Sequence, residues 1–272
     1  MTNSLRTAIG SDPGPHRTGN EDSALVAPCL LAVADGMGGH VFGEVASAAT
    51  IAALGDLEAW AAGVDLRERD TLELVRAGVA EAARRLDELA DADPELRGMG
   101  TTVTAMLWDG VGFAVAHVGD SRAYVLRDGL LGQLTHDHTM VQSLVDAGRI
   151  TRAEAERHPR RSVLMRTLQS GNAYELDLFR VDARLGDRYL VCSDGLTDVV
   201  SDQAVREALL NATDPAEAVH WLITLAVRAG GPDNITCVVA DVVPGEPTDS
   251  DSGRITVGAH RLLGSPTPRQ AS

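Results

Sequence analysis

The segment TVTAMLWDGVGFAVAHV, residues 102–118, consists of two apolar runs joined by Asp109-Gly110. Valine, leucine and alanine make up most of both runs, which are long enough to be buried strands. An Asp-Gly pair between such runs is a strong signal for a hairpin, because both turn residues tolerate a positive φ angle. The segment therefore predicts two neighbouring antiparallel strands.

Similar signals recur along the chain. A second pair, Asp128-Gly129, follows the apolar run 123–126 and predicts another hairpin. Further strand-like runs lie at 24–34, 189–192 and 235–243. The chain is therefore rich in strands that pair with their neighbours in an antiparallel sense.

Helical periodicity appears between these runs, at 44–54 and at 72–90, where apolar residues recur every three or four positions. Thr151 with Glu154 predicts a capping box, and Asp214-Pro215 predicts the start of another helix. Antiparallel hairpins with helices between them predict the α+β class. We expect two packed sheets with helices outside, rather than a doubly wound βαβ sheet.

The composition restricts the possible partners. The chain has 272 residues and a formal net charge of −15, and all its basic residues are arginines. A nucleic-acid-binding protein needs a basic surface that displaces counterions, so nucleic acid is not an expected partner. An acidic surface favours cationic ligands, including metal ions.

The cysteines and the apolar segments indicate the cellular compartment of the protein. Cys29, Cys192 and Cys237 form no CxxC pair, and this predicts neither a disulfide framework nor a zinc-finger site. A reducing compartment fits this pattern. No segment offers the roughly 20 apolar residues of a membrane helix, so we expect a cytoplasmic protein without a membrane partner.

The composition changes after Val243. We expect a folded domain over 1–243 and a mobile tail over 244–272, which is rich in Pro, Gly, Ser, Thr and Asp. Short apolar patches lie at 255–257 and 262–263. Truncation after Val243 should then change melting temperature and activity little, unless these patches dock on the domain.

Four aspartates lie next to apolar strands. Asp35, Asp120 and Asp194 each follow a predicted strand, and Asp233 precedes one. Each alone is most simply a turn residue. If the strand ends share one rim of the sheets, however, the four carboxylates meet and repel one another unless cations bind. The sequence therefore predicts a cation site.

The donor types indicate which cation would bind. Oxygen ligands without paired His or Cys favour Mg²⁺ or Mn²⁺ over zinc. Two such ions would lower the pKa of a bridging water and produce a nucleophile near neutral pH. Hydrolysis of a phosphate ester follows as a hypothesis. No P-loop motif supports nucleotide binding.

Seven ordered motifs resemble one known family, the metal-dependent phosphatase 2C-type (PPM) protein phosphatases, especially its bacterial branch. The motifs cover about residues 5–243 and read RTGNED (17–22), DGMGGH (35–40), GMGTT (98–102), GDSR (119–122), LTHDH (134–138), CSDG (192–195) and GPDN (231–234). The resemblance implies a four-layer αββα fold with a central β-sandwich. It also implies a protein serine/threonine phosphatase that opposes serine/threonine protein kinases. We expect a monomer.

The resemblance also implies a set of metal ligands. Asp35 would bridge two ions, the Gly36 carbonyl would bind one of them, and Asp194 and Asp233 would bind the other. A glycine after Asp35 permits close approach of the backbone.

Further roles follow from the resemblance for three residues near the N-terminus. Glu21 and Asp22 would hold metal-bound waters. Arg17 would bind the substrate phosphate through a bidentate fork that a lysine cannot reproduce, although an arginine at such a position could also be a plain surface residue.

A third, weaker ion is implied at Asp120 and Asp194, with Asp198 or Ser162 as further ligands. Asp198 could instead be a solvated acid or a helix N-cap.

The resemblance does not identify the general acid, because many eukaryotic members of the family have His where this chain has Met37. His40 is the candidate here, with substrate contact or a structural role as alternatives, and His138 is a second candidate.

The arginine-rich segment 146–168 resembles the family's flap beside the active site. Arg149, Arg152, Arg160 and Arg161 could contact an acidic substrate loop, or could lie on a solvated surface with paired charges.

Two other functions compete with the phosphatase hypothesis. One is a catalytically silent docking module that kept the fold, which the intact Asp35, Asp194 and Asp233 oppose. The other is a hydrolase of small phosphate esters.

Overall fold

The hairpin at Asp109-Gly110 is present in the computed structural model, which describes residues 3–37, 42–245 and 253–259. The strands of this hairpin run antiparallel as predicted. The turn is closed by Asp109, whose backbone N–H donates to the Gly112 carbonyl and whose carboxylate accepts from the Gly112 N–H.

Thirteen strands are present in the described residues: β1 (Asn3–Asp12), β2 (Asp22–Ala27), β3 (Leu30–Met37), β4 (Gly100–Thr101), β5 (Val103–Trp108), β6 (Gly112–Val118), β7 (Arg122–Arg127), β8 (Leu130–Gln133), β9 (Leu168–Gln169), β10 (Asp177–Asp182), β11 (Arg188–Cys192), β12 (Ile235–Pro244) and β13 (Ile255–Gly258). One sheet has the order β1-β12-β11-β7-β8. The other has the order β10-β6-β5-β3-β2-β13, with β4 paired to β3 and β9 paired to β4. Each described pair is antiparallel.

The helices of the described residues are α1 (Gly43–Ala61), α2 (Thr71–Ala92), α3 (Met140–Asp146), α4 (Arg152–Ala155), α5 (Asp194–Thr197), α6 (Asp202–Asn211) and α7 (Pro215–Arg228). Two short 3₁₀ turns lie at Leu66–Glu68 and Pro94–Leu96. Both predicted helix starts are confirmed. Thr151 and Glu154 form the capping box, and the Asp214 side chain caps α7 by accepting from the Glu217 N–H.

Three hydrophobic clusters define four layers. Helices α1 and α2 pack on the β3 sheet, and α6 and α7 pack on the β12 sheet. The third cluster fills the space between the sheets. Along β3, Leu30 and Ala32 face the helices while Leu31 and Val33 face the other sheet. Burial on both faces explains the nearly continuous apolar runs, and the predicted αββα sandwich is confirmed.

The run at 24–34 forms two strands rather than the single strand that its hydrophobicity predicts. The chain turns at Pro28-Cys29, and β2 pairs with β3 in an antiparallel hairpin. Proline lacks a backbone N–H for a strand ladder, so the break falls where pairing would fail. The turn brings Asp22 opposite Asp35.

The strands β1 and β10 were not predicted from the sequence. Both lie at a sheet edge, where half of the backbone is unpaired and the side chains are only partly buried. Their mixed polar and apolar sequences therefore lack the continuous hydrophobicity that marks the central strands.

The region after β12 differs from the expected mobile tail. Residues Ile255–Gly258 form β13, which pairs with β2. Val257 is buried between the sheets whereas Ile255 is half exposed, the alternation of an edge strand. The patch at 262–263 lies outside the described residues. Among the described helices, none combines the length and the apolar character needed to cross a membrane.

A buried ion pair links β11 to β12, and its arginine also bonds to the end of α6. The Arg188 guanidinium donates to both carboxylate oxygens of Asp241 and to the carbonyls of Leu209 and Ala212. Asp241 also accepts from Arg6, whose side chain is 47% exposed.

Arg188→Ala should lower the free energy of unfolding by about 3–5 kcal/mol, because two carbonyls lose their donor and the buried Asp241 carboxylate keeps only the solvated Arg6 as a partner. Arg6→Ala should cost about 1 kcal/mol or less, since its half of the pair is solvated. Urea unfolding of both variants measures the difference. Equal effects would contradict the assignment of Arg188 as the buried partner.

Candidate metal centre

The four aspartates at strand ends meet at one rim of the sandwich. Asp35 lies near the end of β3, Asp120 follows β6, Asp194 begins α5 directly after β11, and Asp233 precedes β12. They share a cavity of about 210 Å³ that is lined by Arg17, Glu21, Asp35, Gly36, Met37, Thr102, Asp120, Ser162, Leu164, Asp194 and Asp233. The predicted convergence of these carboxylates is present.

The carboxylates strongly perturb one another. Burial raises the pKa of Asp35 well above its usual range, and the charges of Asp22, Asp194, Asp120 and Asp233 raise it further. Ordinary carboxyls in water titrate near pH 4. The cluster therefore has an energetic need for protons or cations.

Asp194 and Asp120 show the same effect. Burial first, and then Asp198 and Asp233, raise the pKa of Asp194 to about 7. Burial and the nearby Asp194 carboxylate raise the pKa of Asp120 well above its usual range. Asp194 also shares a side-chain hydrogen bond with Asp35.

Asp22 lies behind this cavity rather than in its lining. Its side chain is buried and accepts a hydrogen bond of 2.7 Å from the Ser193 hydroxyl, and burial raises its pKa to about 7. Glu21 does line the cavity. Burial and the charge of Glu44 raise the Glu21 pKa.

Gly36 makes the close backbone approach that its position predicts. A Cβ atom there would lie 2.1 Å from the Gly43 carbonyl oxygen and 2.6 Å from that of Glu21. The Gly36 N–H donates to the Glu21 carbonyl. A side chain at this position would clash with both carbonyls. The glycine therefore lets the start of α1 and the segment before β2 lie close to β3.

Arg17 is at the open side of the cavity. Its side chain is exposed and forms an ion pair of 2.7 Å with Asp233. The guanidinium is therefore already beside the carboxylates and can reach an anion that enters the cavity.

The candidate ligands of a third ion separate into two groups. Ser162 and Asp120 line the cavity, whereas Asp198 does not. Asp198 pairs instead with Arg161 at 3.4 Å, and it is the residue after α5, a C-cap. The alternative of an N-cap is therefore wrong, since Ser201 caps the next helix. Asp198 still acts on Asp194 and Asp120 through its charge.

The structure describes only one of the two histidines that are candidates for the general acid. His40 lies outside the described residues. His138 does not line the cavity, and both its ring nitrogens are engaged: Nδ1 accepts from the Gly119 N–H and Nε2 contacts Asp177 at 3.1 Å. His138 therefore stabilises the loop before Asp120.

Sequence reasoning missed the residues that hold the ligands in place. The Asn234 side chain accepts from the Glu21 N–H and donates to the carbonyls of Pro13 and Gly19. The Ser193 hydroxyl donates to the Asp22 carboxylate, and the Thr102 hydroxyl oxygen accepts from the Asp35 N–H. Asn234, Ser193 and Thr102 all lie within the motifs quoted above, and this position in a motif is the sequence signal by which they could have been found.

The donor chemistry fits a hard divalent ion. In the part of the chain that the structure describes, no three His, Cys, Asp or Glu side chains are placed so that they could hold a metal ion as they stand. Asp194 instead bonds to Asp35, and Arg17 neutralises Asp233. A cation would replace both contacts, and the carboxylates and the Gly36 carbonyl supply the oxygen donors that Mg²⁺ and Mn²⁺ prefer.

Comparison with known proteins shows the family of this chain. A family model described as Protein phosphatase 2C matches residues 20–225. The chain belongs to this family. It is 52% identical over 239 residues to the serine/threonine protein phosphatase PstP of Mycobacterium tuberculosis, across 88% of this chain and 45% of that protein. The chain thus spans about half the length of this relative.

A second relative and two solved structures extend the comparison. The serine/threonine phosphatase stp of Listeria monocytogenes is 36% identical over 244 residues, across 87% of this chain and 96% of that protein. A crystal structure of M. tuberculosis PstP superposes with a TM-score of 0.84 at 49% identity, covering 89% of this chain and all of that one. A PstP catalytic domain in complex with two manganese ions gives a TM-score of 0.80 at 48% identity, with the same coverage.

The raised pKa of Asp194 predicts an unusual dependence of stability on pH in EDTA. Between the usual value near 4 and the folded value near 7, the folded chain keeps a proton that the unfolded chain has lost. Its contribution to stability therefore falls as pH rises through this window. Asp194→Asn cannot ionise and should become progressively more stable than wild type from pH 5 to 7.5.

Urea unfolding at each pH measures this difference, and Asp91→Asn, at an exposed position on α2, is the matched control. Parallel pH profiles for Asp194→Asn and wild type would show that Asp194 carries no unfavourable charge.

Proposed function

We propose that this chain is a metal-dependent protein serine/threonine phosphatase that hydrolyses phosphoserine and phosphothreonine. The convergence of Asp35, Asp120, Asp194 and Asp233 in one cavity, with Arg17 at its opening, carries the proposal. Membership in the phosphatase 2C family and the names of the relatives PstP and stp support it.

Two Mn²⁺ or Mg²⁺ ions are the proposed cofactors. One ion would be held by Asp35 and the Gly36 carbonyl. The other would be held by Asp35, Asp194 and Asp233. Glu21 and Asp22 would hold the waters bound to these ions. The two manganese ions of the PstP catalytic domain support this number. A third, weaker ion would use Asp120 and Asp194, and the lining position of Ser162 favours it over Asp198 as a further ligand.

Arg17 is the proposed phosphate ligand. Its fork of N–H donors matches two phosphate oxygens, and a bound phosphate dianion would replace Asp233 as its partner. When bound, the metal ions would supply an activated water that attacks phosphorus in line, so no residue of this chain need become phosphorylated. His40 is the proposed proton donor to the leaving oxygen.

The other functions receive less support. A silent docking module would be expected to have lost a principal ligand, yet Asp35, Asp194 and Asp233 are all present and share the cavity. A small-phosphoester hydrolase would use the same chemistry. The names of the relatives favour proteins as the substrates.

The partners follow from the same proposal. They are phosphorylated proteins, including serine/threonine protein kinases, and not nucleic acid, for which a net charge of −15 is unfavourable. We further propose a monomer that acts in the cytoplasm. The three free cysteines agree with a reducing compartment.

Asp194→Ala and Asp233→Ala should each lower phosphate release from a phosphothreonine peptide to below about 1% of wild type, because each removes a metal ligand. Both should stay folded, since the side chains lie at the rim of the sheets. The assay is run with Mn²⁺ and with EDTA, and Asp91→Ala serves as the control.

Release that requires both Mn²⁺ and Asp194 is the expected result. Full activity of either variant would refute the ligand assignment. No release by folded, Mn²⁺-loaded wild type would make the docking module the leading function, and release from p-nitrophenyl phosphate alone would favour the small-ester hydrolase.

Arg17→Lys should raise KM for the phosphopeptide by about tenfold, since one charged hydrogen bond to phosphate is lost while the positive charge stays. Steady-state kinetics measures KM and kcat separately. The control is Arg69→Lys, at an exposed arginine that lies outside the cavity and outside the flap. An unchanged KM would show that Arg17 only pairs with Asp233.

A further inference from the structure

The strand β13 covers the outer edge of β2, the strand that begins with Asp22. Ile255 pairs with Val26, Val257 with Ala24, and Gly258 with Ser23. Without β13, β2 would be the last strand of its sheet, with one row of backbone groups unpaired. The family model matches residues 20–225, so β13 lies after the matched part of the chain.

Three contacts fix β13 on the domain. The Val257 side chain is 9% exposed and packs in the cluster between the sheets. Ala259 is 2% exposed. The Arg254 guanidinium donates to the Gly55 carbonyl of α1 at 2.8 Å, and its charge lies near Glu58. The strand is thus bound to both the sheet and the helix layer.

Gly258 makes the closest approach to the metal centre. A Cβ atom there would lie 2.1 Å from the Asp22 carbonyl oxygen, and the residue has a φ angle of 81°. Only glycine combines this contact with this backbone conformation at low cost. β13 therefore ends directly against the backbone of Asp22.

The inner side of the same segment holds the metal centre. Asp22 pairs with Asp35 across the β2–β3 hairpin, and the Glu21 N–H donates to Asn234. The Asp22 backbone thus lies between β3 and the end of β13, and the backbone of the preceding residue, Glu21, is bonded to Asn234. An outward shift of the Asp22 backbone would therefore bring it against Gly258 at the end of β13.

We propose that β13 is a positioning strand of the metal centre, which holds the backbone of Glu21 and Asp22 in the geometry that binds divalent ions. Docking of β13 and binding of metal are then coupled, and by reciprocity metal binding strengthens the docking of β13. This proposal uses the assignment of Glu21 and Asp22 to the metal centre but not the identity of the substrate.

Gly258→Ala is the sharpest test, with Gly253→Ala as the matched control. A Cβ atom at Gly258 would meet Asp22, whereas one at Gly253 would meet nothing within 4 Å. Calorimetric titration with Mn²⁺ should show a Kd about tenfold higher for Gly258→Ala and an unchanged Kd for Gly253→Ala.

Hydrogen exchange provides a second readout that needs no activity. Mn²⁺ should slow exchange of the backbone amides in 255–258 in wild type, and this protection should be lost in Gly258→Ala. Equal Kd values for wild type and Gly258→Ala, with equal exchange, would overturn the proposal.

Truncation gives an independent test. A chain ending at Ala259 should bind Mn²⁺ as the full chain does, whereas one ending at Gly245 should bind it more weakly. Unchanged affinity in the shorter chain would also overturn the proposal; if that chain does not fold, the Gly258→Ala result decides. If the wild-type protein releases no phosphate but its Mn²⁺ affinity still depends on Gly258, the proposed phosphatase function is refuted. The proposal that β13 positions the metal centre would then still hold.

Discussion

Electrostatic repulsion among carboxylates is the constraint on which this structure depends. Asp22, Asp35, Asp120 and Asp194 are held close together at the ends of strands, and burial and mutual charge raise the pKa of each one. Such an arrangement is unfavourable for folding by itself, so the remaining structure must stabilise it. Bound divalent cations would convert the same repulsion into affinity.

The β-sandwich supplies that stability. Strands buried on both faces place the ligands at their ends, where the carboxylates line the cavity. Asn234, Ser193 and the glycine at 36 then fix the local backbone by hydrogen bonds and close contact. The β13 strand extends this support to the outer edge of β2, so metal binding and the packing of one sheet edge become parts of the same equilibrium.

The sequence predicted the features that local chemistry determines. Asp-Gly turns and continuous apolar runs identified the central strands, and aspartates after these runs identified the rim where they meet. Features that depend on distant pairing were missed: β1 is an edge strand with a mixed sequence, and β13 has only Val257 fully turned to the core. The position of Asp198 also could not be predicted, because its ion pair with Arg161 depends on how the flap segment folds against α5.

We propose that this carboxylate cluster holds two divalent ions. Anomalous diffraction at the manganese edge, from crystals grown with Mn²⁺, tests it most directly. We expect two strong peaks in the cavity, both within bonding distance of Asp35, with Asp194 and Asp233 on one ion and Asp233 released from Arg17. An empty cavity with the Arg17–Asp233 ion pair intact would contradict it.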